Sequence, residues 1–311
     1  MSLKNLVFII LISISFSCSK VDSDKTANNE IELLQKLNIE DINTNSAVYK
    51  KLKKDKSYGK EYVDFSYNFE QTSLFKRHLN TLGLMINPDN SEYIRRFSYS
   101  YKKAGEHEKA MKMLNLALKT DSDYSTHLKN LDYAAWNYLY FYRDYDNTIK
   151  TVNKILELTQ NDLSISCHGE SCLLLKGQAL YRLEKYEEAI GIFNSYQQNE
   201  IEQGFDPQAN FYVVFYKAIC MSQLNQLDAA ISKFSDLIKK HPSAEVSYQL
   251  AQLYYRKSDF ESSKTQLLEA EKALAEGFTF KEPYFERFDK VFNYQIEDMK
   301  RKLDSSSNFE Q

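Results

Sequence analysis

Residues 177–193 read GQALYRLEKYEEAIGIF. The stretch predicts two antiparallel helices that meet at a tight turn around residues 183–185. Tyr186 is expected to close that turn, and Ala189 and Phe193 are expected to face back toward the first helix. The remainder of the chain is interpreted by comparison with this hairpin.

Composition favours an all-helical chain. The sequence has 311 residues with 43% hydrophobic and 14% aromatic residues, but only 8 glycines and 4 prolines. The prolines lie in polar, loop-like contexts, so long runs are free of helix breakers. The length is sufficient for one large domain or two ordinary ones. A formal net charge of −3 gives no reason to expect a nucleic-acid partner.

Weaker copies of the hairpin turn recur along the chain, at residues 104–107, 142–145, 183–186, 224–227 and 257–260. Three residues after each turn comes a small residue in four copies (Ala110, Ala189, Ala230 and Ser263) and Thr148 in the other. Four residues later comes a large apolar residue: Leu114, Val152, Phe193, Phe234 or Leu267. Successive turns are 38, 41, 41 and 33 residues apart, which indicates a repeat array.

This pattern resembles the tetratricopeptide repeat (TPR), in which small residues lie where two helices touch and large ones fill the gaps between them. Gly177, Ala218 and Ala251 match the small position of the first helix, whereas Trp136 stands there in one copy. The resemblance implies an all-α, TPR-like helical-hairpin solenoid, a right-handed superhelix. We expect five moderate to clear repeats and one weak one over residues 57–277.

The parts outside the repeat pattern are also interpreted. Extra residues between repeats, at 159–171 and 197–210, are expected to be polar loops. Residues 282–303 predict a final helix with Phe285, Phe288, Val291, Phe292 and Ile296 on its apolar side, within a segment 278–311 that serves as capping helix and frayed tail.

The N-terminus resembles a bacterial lipoprotein signal peptide over residues 1–17, with Lys4, an apolar run at 6–16 and Cys18 as the residue that would be lipidated. Ser15 stands where an aliphatic residue is usual, so ordinary secretion stays open. Ser19, and not an Asp, follows the cysteine, and by the rule for proteobacterial lipoproteins this resemblance implies the outer membrane. Residues 18–56 are expected to be a lipid-anchored tether with short helices.

Cys167 and Cys172 flank a short polar loop, and an oxidising compartment would permit a disulfide between them. Two free thiols or a metal site with His168 are the alternatives. Cys220, within a first helix, is expected to be a small buried residue. No phosphate-binding glycine loop, zinc-binding helix or nucleophile elbow occurs in the sequence. We therefore expect no enzymatic activity, catalytic residue, cofactor, metal or small-molecule substrate.

The TPR resemblance implies that the first helices line a groove for a peptide. The predicted groove residues are Arg95, Tyr99, Lys102, Tyr133, Asn137, Tyr140, Tyr181, Arg182, Phe215, Tyr248, Tyr255 and Arg256. Tyr and Arg are frequent interface anchors, although a one-residue error in phase would place several of these aromatics in the core.

These patterns together predict a membrane-anchored cell-envelope lipoprotein that binds a partner protein, as a peptide or loop, in an aromatic and basic groove. The alternatives are a structural subunit of an outer-membrane assembly or secretion machine, and an envelope immunity or adaptor protein.

Overall fold

The computed structural model describes residues 57–120 and 122–307. The predicted signal peptide, Cys18 and the tether lie outside the described residues. Thirteen helices are described, with the bounds α1 Ser57–Ser66, α2 Leu74–Ile86, α3 Ser91–Lys103, α4 His107–Lys119, α5 Tyr124–Tyr140, α6 Tyr145–Leu158, α7 Cys172–Arg182, α8 Tyr186–Glu202, α9 Phe211–Gln223, α10 Leu227–Lys240, α11 Ala244–Arg256, α12 Phe260–Glu276 and α13 Asn293–Ser307. Two short strands, β1 Ser166–Cys167 and β2 Glu170–Ser171, form an antiparallel pair.

The helices up to α12 form six successive hairpins, so the prediction of an all-α array of TPR-like hairpins is confirmed. The weak copy is the hairpin of α1 and α2. Its helices approach closely at two glycines, because a Cβ on Gly83 would lie 2.5 Å from Cγ2 of Val63 and 3.1 Å from the carbonyl oxygen of Gly59. None of the helices described is long and apolar enough to cross a membrane.

The predicted turns share one backbone conformation. The second residue of each turn is left-handed, with φ of +79° at Gly105 and values of +56° to +61° at the matching residues Arg143, Glu184, Asn225 and Ser258. The following amide closes the turn: Lys185 N donates to Leu180 O at 3.0 Å in the copy at 177–193. This bond satisfies a helix C-terminal carbonyl that would otherwise have no partner.

Packing within the hairpins follows the predicted pattern. The small residues and the large apolar residues that follow them, including Thr148, are all buried. Ala189 and Phe193 are both 0% exposed. A Cβ on Gly177 would lie 2.3 Å from Cε1 of Phe193, so only glycine lets α7 approach the ring of α8 this closely.

The substitution Gly177→Ala is expected to destabilise the protein by about 1–3 kcal/mol, since the new methyl group overpacks a rigid aromatic contact. Gly191→Ala is the matched control. Gly191 is an exposed glycine in the middle of α8 with nothing within 4 Å of an added Cβ, so alanine should stabilise the helix by about 0.5–1 kcal/mol. Urea denaturation measures the free energy of unfolding of both variants and of the wild-type protein. Equal effects of the two substitutions would contradict the packing assigned to Gly177.

The chain divides into two compact units, and each is described by itself. The first unit ends at Asn130 and the second begins at Leu131. In the first unit, one core cluster joins Val63, Leu84, Ile94, Phe97 and Ala110 from α1 to α4. In the second unit, α12 packs on α11 and on α13, around Ala251, Leu267 and Met299. The helix α13 therefore covers the last hairpin, as the capping role requires.

Two predictions on the regions between and after the repeats are wrong in part. Residues 197–202 are the last residues of α8 and not a loop. The final helix covers Asn293–Ser307 only, so residues 282–292 are not helical, whereas residues 304–307 are. Phe285, Phe288 and Phe292 recur at helical spacing, which is why the pattern indicated a helix. In the structure, Phe285 and Phe288 both contact Tyr140 of the repeats, whereas Phe292 stacks on Tyr294.

The loop after α6 is closed by a disulfide between Cys167 and Cys172, whose Cα atoms are 4.9 Å apart. The two-residue turn His168-Gly169 has φ of +55° and +89°, which is the geometry of a tight β-hairpin. Cys167 pairs with Glu170 across it. The bridge thus holds Glu170 in a fixed place directly before α7.

Replacing both Cys167 and Cys172 with alanine is expected to lower the stability of the second unit by about 2 kcal/mol, from the loop-closure entropy of so short a loop. Urea denaturation with and without dithiothreitol tests this. The wild-type protein should lose stability in reductant, and the double variant should not respond. In the double variant, Cys220 is the one cysteine left among the described residues, so this protein has no disulfide there for the reductant to break. An equal loss of stability in both proteins would therefore contradict the disulfide between Cys167 and Cys172.

Candidate functional site

The face formed by the first helices of the second unit carries a segment of the same chain. This segment, residues 278–292, is here called the strap. It leaves α12 at Gly277, where φ is +82°, and ends at α13. We call the surface beneath it the first-helix face, which is lined by Tyr140, Tyr181, Tyr212, Tyr216 and Glu245.

Glu245 on α11 anchors both ends of the strap. This side chain is 0% exposed, and its Oε1 accepts hydrogen bonds from the Phe280 amide at 3.0 Å and the Val291 amide at 3.4 Å. The hydroxyls of Thr279 and Ser243 also donate to the carboxylate. A buried carboxylate with this many donors is satisfied in place of its lost hydration.

Arg287 is the charged centre of the strap. Its Nη2 lies 2.7 Å from carboxylate oxygens of both Glu170 and Glu282, and its guanidinium lies 3.7 Å from the ring centroid of Tyr212. The side chain is 2% exposed. An arginine suits this place because a planar guanidinium can stack on a ring and bind carboxylates at its edge.

Two phenylalanines of the strap insert on either side of Arg287. The ring of Phe285 stacks on Tyr140 with centroids 4.1 Å apart and meets Trp136 edge-on at 5.4 Å. The ring of Phe288 faces the guanidinium groups of Arg143 at 4.2 Å and Arg182 at 5.2 Å. These contacts combine apolar burial with cation–π attraction.

A hydrogen-bond network fixes Tyr140 beneath the strap. Its hydroxyl donates to Glu170, accepts from Gln178 Nε2 at 2.8 Å and lies 3.4 Å from Arg287 Nη1. Burial, together with the negative charge of Glu170, raises the pKa of Tyr140 well above its usual value. The tyrosine therefore remains a neutral donor at all physiological pH values.

Asp289 follows the second phenylalanine and accepts a hydrogen bond from the Tyr181 hydroxyl at 2.9 Å. Its other oxygen, Oδ2, has no hydrogen-bond partner within the described residues, and neither do Nε of Arg287 and Nη1 of Arg143. Each unpaired buried polar group costs about 1–3 kcal/mol. The strap is thus held by specific contacts but leaves polar atoms of the site unsatisfied.

Burial raises the pKa of the Asp289 carboxyl above its ordinary value, although the Tyr181 hydrogen bond and the charge of Arg182 oppose the shift. When the pKa of an acid is higher in the folded state than in the unfolded state, the folded state binds more protons. The contribution of Asp289 to stability therefore falls as the pH rises from its unfolded-state pKa through its folded-state pKa. Asp289→Asn is therefore expected to melt at a higher temperature than wild type at pH 7–8. This difference in melting temperature should become smaller as the pH falls toward 4. Thermal denaturation of both proteins at several pH values measures it. A gap that is constant with pH would contradict this.

Five of the predicted groove residues contact the strap or the residues at its end, and two more are buried on α5. Tyr140, Tyr181, Arg182 and Phe215 contact the strap directly. Tyr248 packs with Val291 and α13. Tyr133 and Asn137 are buried on α5; the Tyr133 ring lies 5.8 Å from that of His168, and Asn137 donates to the Tyr133 carbonyl.

Tyr255 and Arg256 lie away from the strap. Together with Ser222, Gln252 and Lys302 they line an open cleft of about 370 Å³ between α9, α11 and α13. Arg256 donates to the Ser222 carbonyl at 3.0 Å and remains partly open to solvent.

The other three predicted residues belong to the first unit. Arg95 Nε donates to Asn130 Oδ1 at 2.9 Å, and its guanidinium lies over the ring of Tyr99 at 5.6 Å. Lys102 is buried, and burial together with the neighbouring Lys103 lowers its pKa to about 7.

Sequence reasoning did not find Glu170, Tyr212, Tyr216, Glu245 or Arg287. The sequence does contain an indication of the strap. Gly277 and Pro283 flank its start and disfavour a continuous helix, and residues 280–292 include four phenylalanines. Cys220 is buried as predicted, and burial raises the pKa of its thiol to about 12. In the part of the chain that the structure describes, no group of three or more His, Cys, Asp or Glu residues could hold a metal ion.

The architecture defines a helical-hairpin repeat protein, and comparisons with known proteins specify the kind of repeat. Models of the tetratricopeptide repeat match residues 96–124 and 212–244. A tetratricopeptide repeat protein from Parabacteroides merdae is 14% identical, with a TM-score of 0.58 over 81% of this chain and 88% of that one. The chain therefore contains tetratricopeptide repeats at residues 96–124 and 212–244, within a fold of the tetratricopeptide repeat type.

Two further solved structures are similar at lower scores. MamA from Desulfovibrio magneticus RS-1 is 15% identical with a TM-score of 0.49, covering 60% of this chain and 97% of that one. TTC0263 from Thermus thermophilus is 12% identical with a TM-score of 0.42, covering 69% and 97%. No curated protein sequence matches significantly.

Proposed function

We propose that this protein is a cell-envelope lipoprotein, anchored by lipid on Cys18 in the outer membrane, that works as a protein-interaction scaffold. Its repeats would hold a peptide or loop of a partner protein on aromatic and basic first-helix surfaces. One observation carries the binding part of the proposal: the first-helix face holds a non-helical chain segment through Tyr, Arg and buried carboxylate side chains. A surface that binds one extended segment has the chemistry to bind another.

The anchor is supported by the sequence of residues 1–18 alone, and metabolic labelling with a fatty acid tests it. The wild-type protein should incorporate label and fractionate with outer membranes, whereas Cys18→Ala should do neither. Labelling that is unchanged in Cys18→Ala would remove the anchor from the proposal.

The scaffold role is tested by affinity capture from solubilised envelopes with the mature protein. The informative variant is Tyr255→Ala with Arg256→Ala, because the cleft that these residues line lies away from the strap. Tyr181→Ala is less selective, since it also removes the hydrogen bond to Asp289. Arg301→Ala, at an exposed ion pair with Asp298, is the matched control. A partner retained equally by wild type, the double variant and the control would exclude the cleft as its site.

A structural subunit of an outer-membrane assembly machine is the second candidate. It is favoured by the strap, which already covers the first-helix face and so directs partners to other surfaces. This role predicts stoichiometric co-purification with an integral outer-membrane protein, and a protein that purifies alone in mild detergent would argue against it.

A further inference from the structure

The strap lies on the repeats in the manner of a bound peptide that is encoded in the same chain. Four side chains from its central residues 285–289 occupy four distinct places on the second unit. Phe285 stacks on Tyr140 and Arg287 on Tyr212. Phe288 contacts two arginines of the repeats, and Asp289 meets Tyr181.

The repeats also bind the main chain of this segment. Nη2 of Arg143 donates to the Glu286 carbonyl at 2.6 Å, and the Tyr216 hydroxyl donates to the Phe288 carbonyl at 3.0 Å. Both donors belong to the repeats and not to the strap. Contacts to backbone carbonyls do not depend on the identity of the peptide, so they would serve any extended segment in the same position.

The middle of the strap is a loop held at its two ends. Glu245 binds the amides of Phe280 and Val291, while Tyr284 between them is 60% exposed. Opening of this loop would leave these anchors in place. The strap does not fit the repeats completely. The backbone of Asp289 is in the left-handed region, with φ of +59°. Polar atoms of Arg143, Arg287 and Asp289 also have no hydrogen-bond partner in the described part of the chain.

We propose that the first-helix face is the binding site for an extended segment of a partner protein with the pattern aromatic-x-Arg-aromatic-Asp, and that the strap occupies this site until such a segment displaces it. The inference rests on the proposed scaffold function and names the ligand chemistry for one of its surfaces. A free segment, unlike the strap, is not constrained at both ends and can adjust its backbone to pair the unsatisfied atoms.

The test is competition between the strap and its own sequence supplied as a separate peptide. The probe is a fluorescein-labelled peptide of residues 282–292, and its partners are the mature wild-type protein and the variants Phe285→Ala and Phe285→Ala with Phe288→Ala. Since apparent affinity scales with the fraction of protein whose site is open, both variants should bind the peptide at least tenfold more tightly than wild type. The single variant, at a half-buried ring, keeps the test valid if the double variant misfolds.

Trp136, the one tryptophan of the chain, reports on the location. Its ring meets Phe285 of the strap, so its emission should change in the variants and return toward the wild-type spectrum when the peptide binds. A peptide with Arg287→Ala and Phe288→Ala is the matched control and should bind at least tenfold more weakly.

Absence of peptide binding to the folded single variant would overturn the inference, as would equal binding of the control peptide or binding that leaves Trp136 unchanged. Absence of binding would make the strap a permanent part of the fold, and the other two results would show that the peptide does not occupy the first-helix face. The scaffold function would survive them if captured partners still depend on Tyr255 and Arg256. Conversely, loss of all captured partners would not alter the peptide result.

Discussion

Arg287→Ala is expected to destabilise the second unit by about 3 kcal/mol. Removing one member of a buried ion pair costs about 3–5 kcal/mol because the remaining charges lose their partner. Glu170 and Glu282 keep 21% and 24% of their side-chain exposure, which places the cost at the lower end. Urea denaturation followed by Trp136 emission measures it, because this ring lies beside the strap.

Two further variants separate charge from geometry at this position. Arg287→Lys retains the charge but loses the planar stacking on Tyr212, so about half of the loss is expected. Arg301→Ala removes an exposed arginine from a surface ion pair and should change stability by less than about 0.5 kcal/mol. If Arg287→Ala behaves like Arg301→Ala, the strap does not dock through its arginine.

Glu245→Ala is expected to release both ends of the strap and to cost about 3–5 kcal/mol. The alanine removes the acceptor of two backbone amides and two hydroxyls. The hydroxyls can rotate toward other acceptors, but the two amides are left unsatisfied at about 1–3 kcal/mol each. Hydrogen exchange is the most direct measurement, since the amides of Phe280 and Val291 should lose protection first.

Matched variants make the result for Glu245 interpretable. Glu245→Gln keeps an acceptor oxygen and should cost less than alanine. Glu269→Ala, at an exposed glutamate of α12, should be neutral within about 0.5 kcal/mol. Unchanged protection of Phe280 and Val291 in Glu245→Ala would show that other contacts hold the ends of the strap.

The hairpins could be predicted from sequence because their determinants are local. Each turn places a small residue and then a large one at fixed distances, and Ala189 and Phe193 show how this spacing encodes the contact between the two helices. The fold class follows from repetition of that rule. The same periodicity explains the error at the C-terminus, because Phe285, Phe288 and Phe292 are spaced as in a helix although the chain there is not helical.

The candidate site was only partly predictable for a related reason. The first-helix positions of Tyr140, Tyr181 and Arg182 follow from the repeat register. Which segment meets them depends on residues more than a hundred positions away: Arg287 binds Glu170 across 117 residues, and Asp289 binds Tyr181 across 108. No local pattern encodes such a pairing, and the burial of Glu245 depends on it as well.

The route of the strap has a consequence for how the second unit unfolds. In repeat proteins each repeat contacts only its neighbours, so the ends unravel more easily than the centre and unfolding spreads step by step. Here the strap joins α5, α7, α9 and α11 through Tyr140, Tyr181, Tyr216 and Glu245. Loss of the last repeat would detach contacts from all the others. The strap thereby links repeats that are not neighbours in the array. We therefore expect the hairpins of the second unit to unfold in a single cooperative transition.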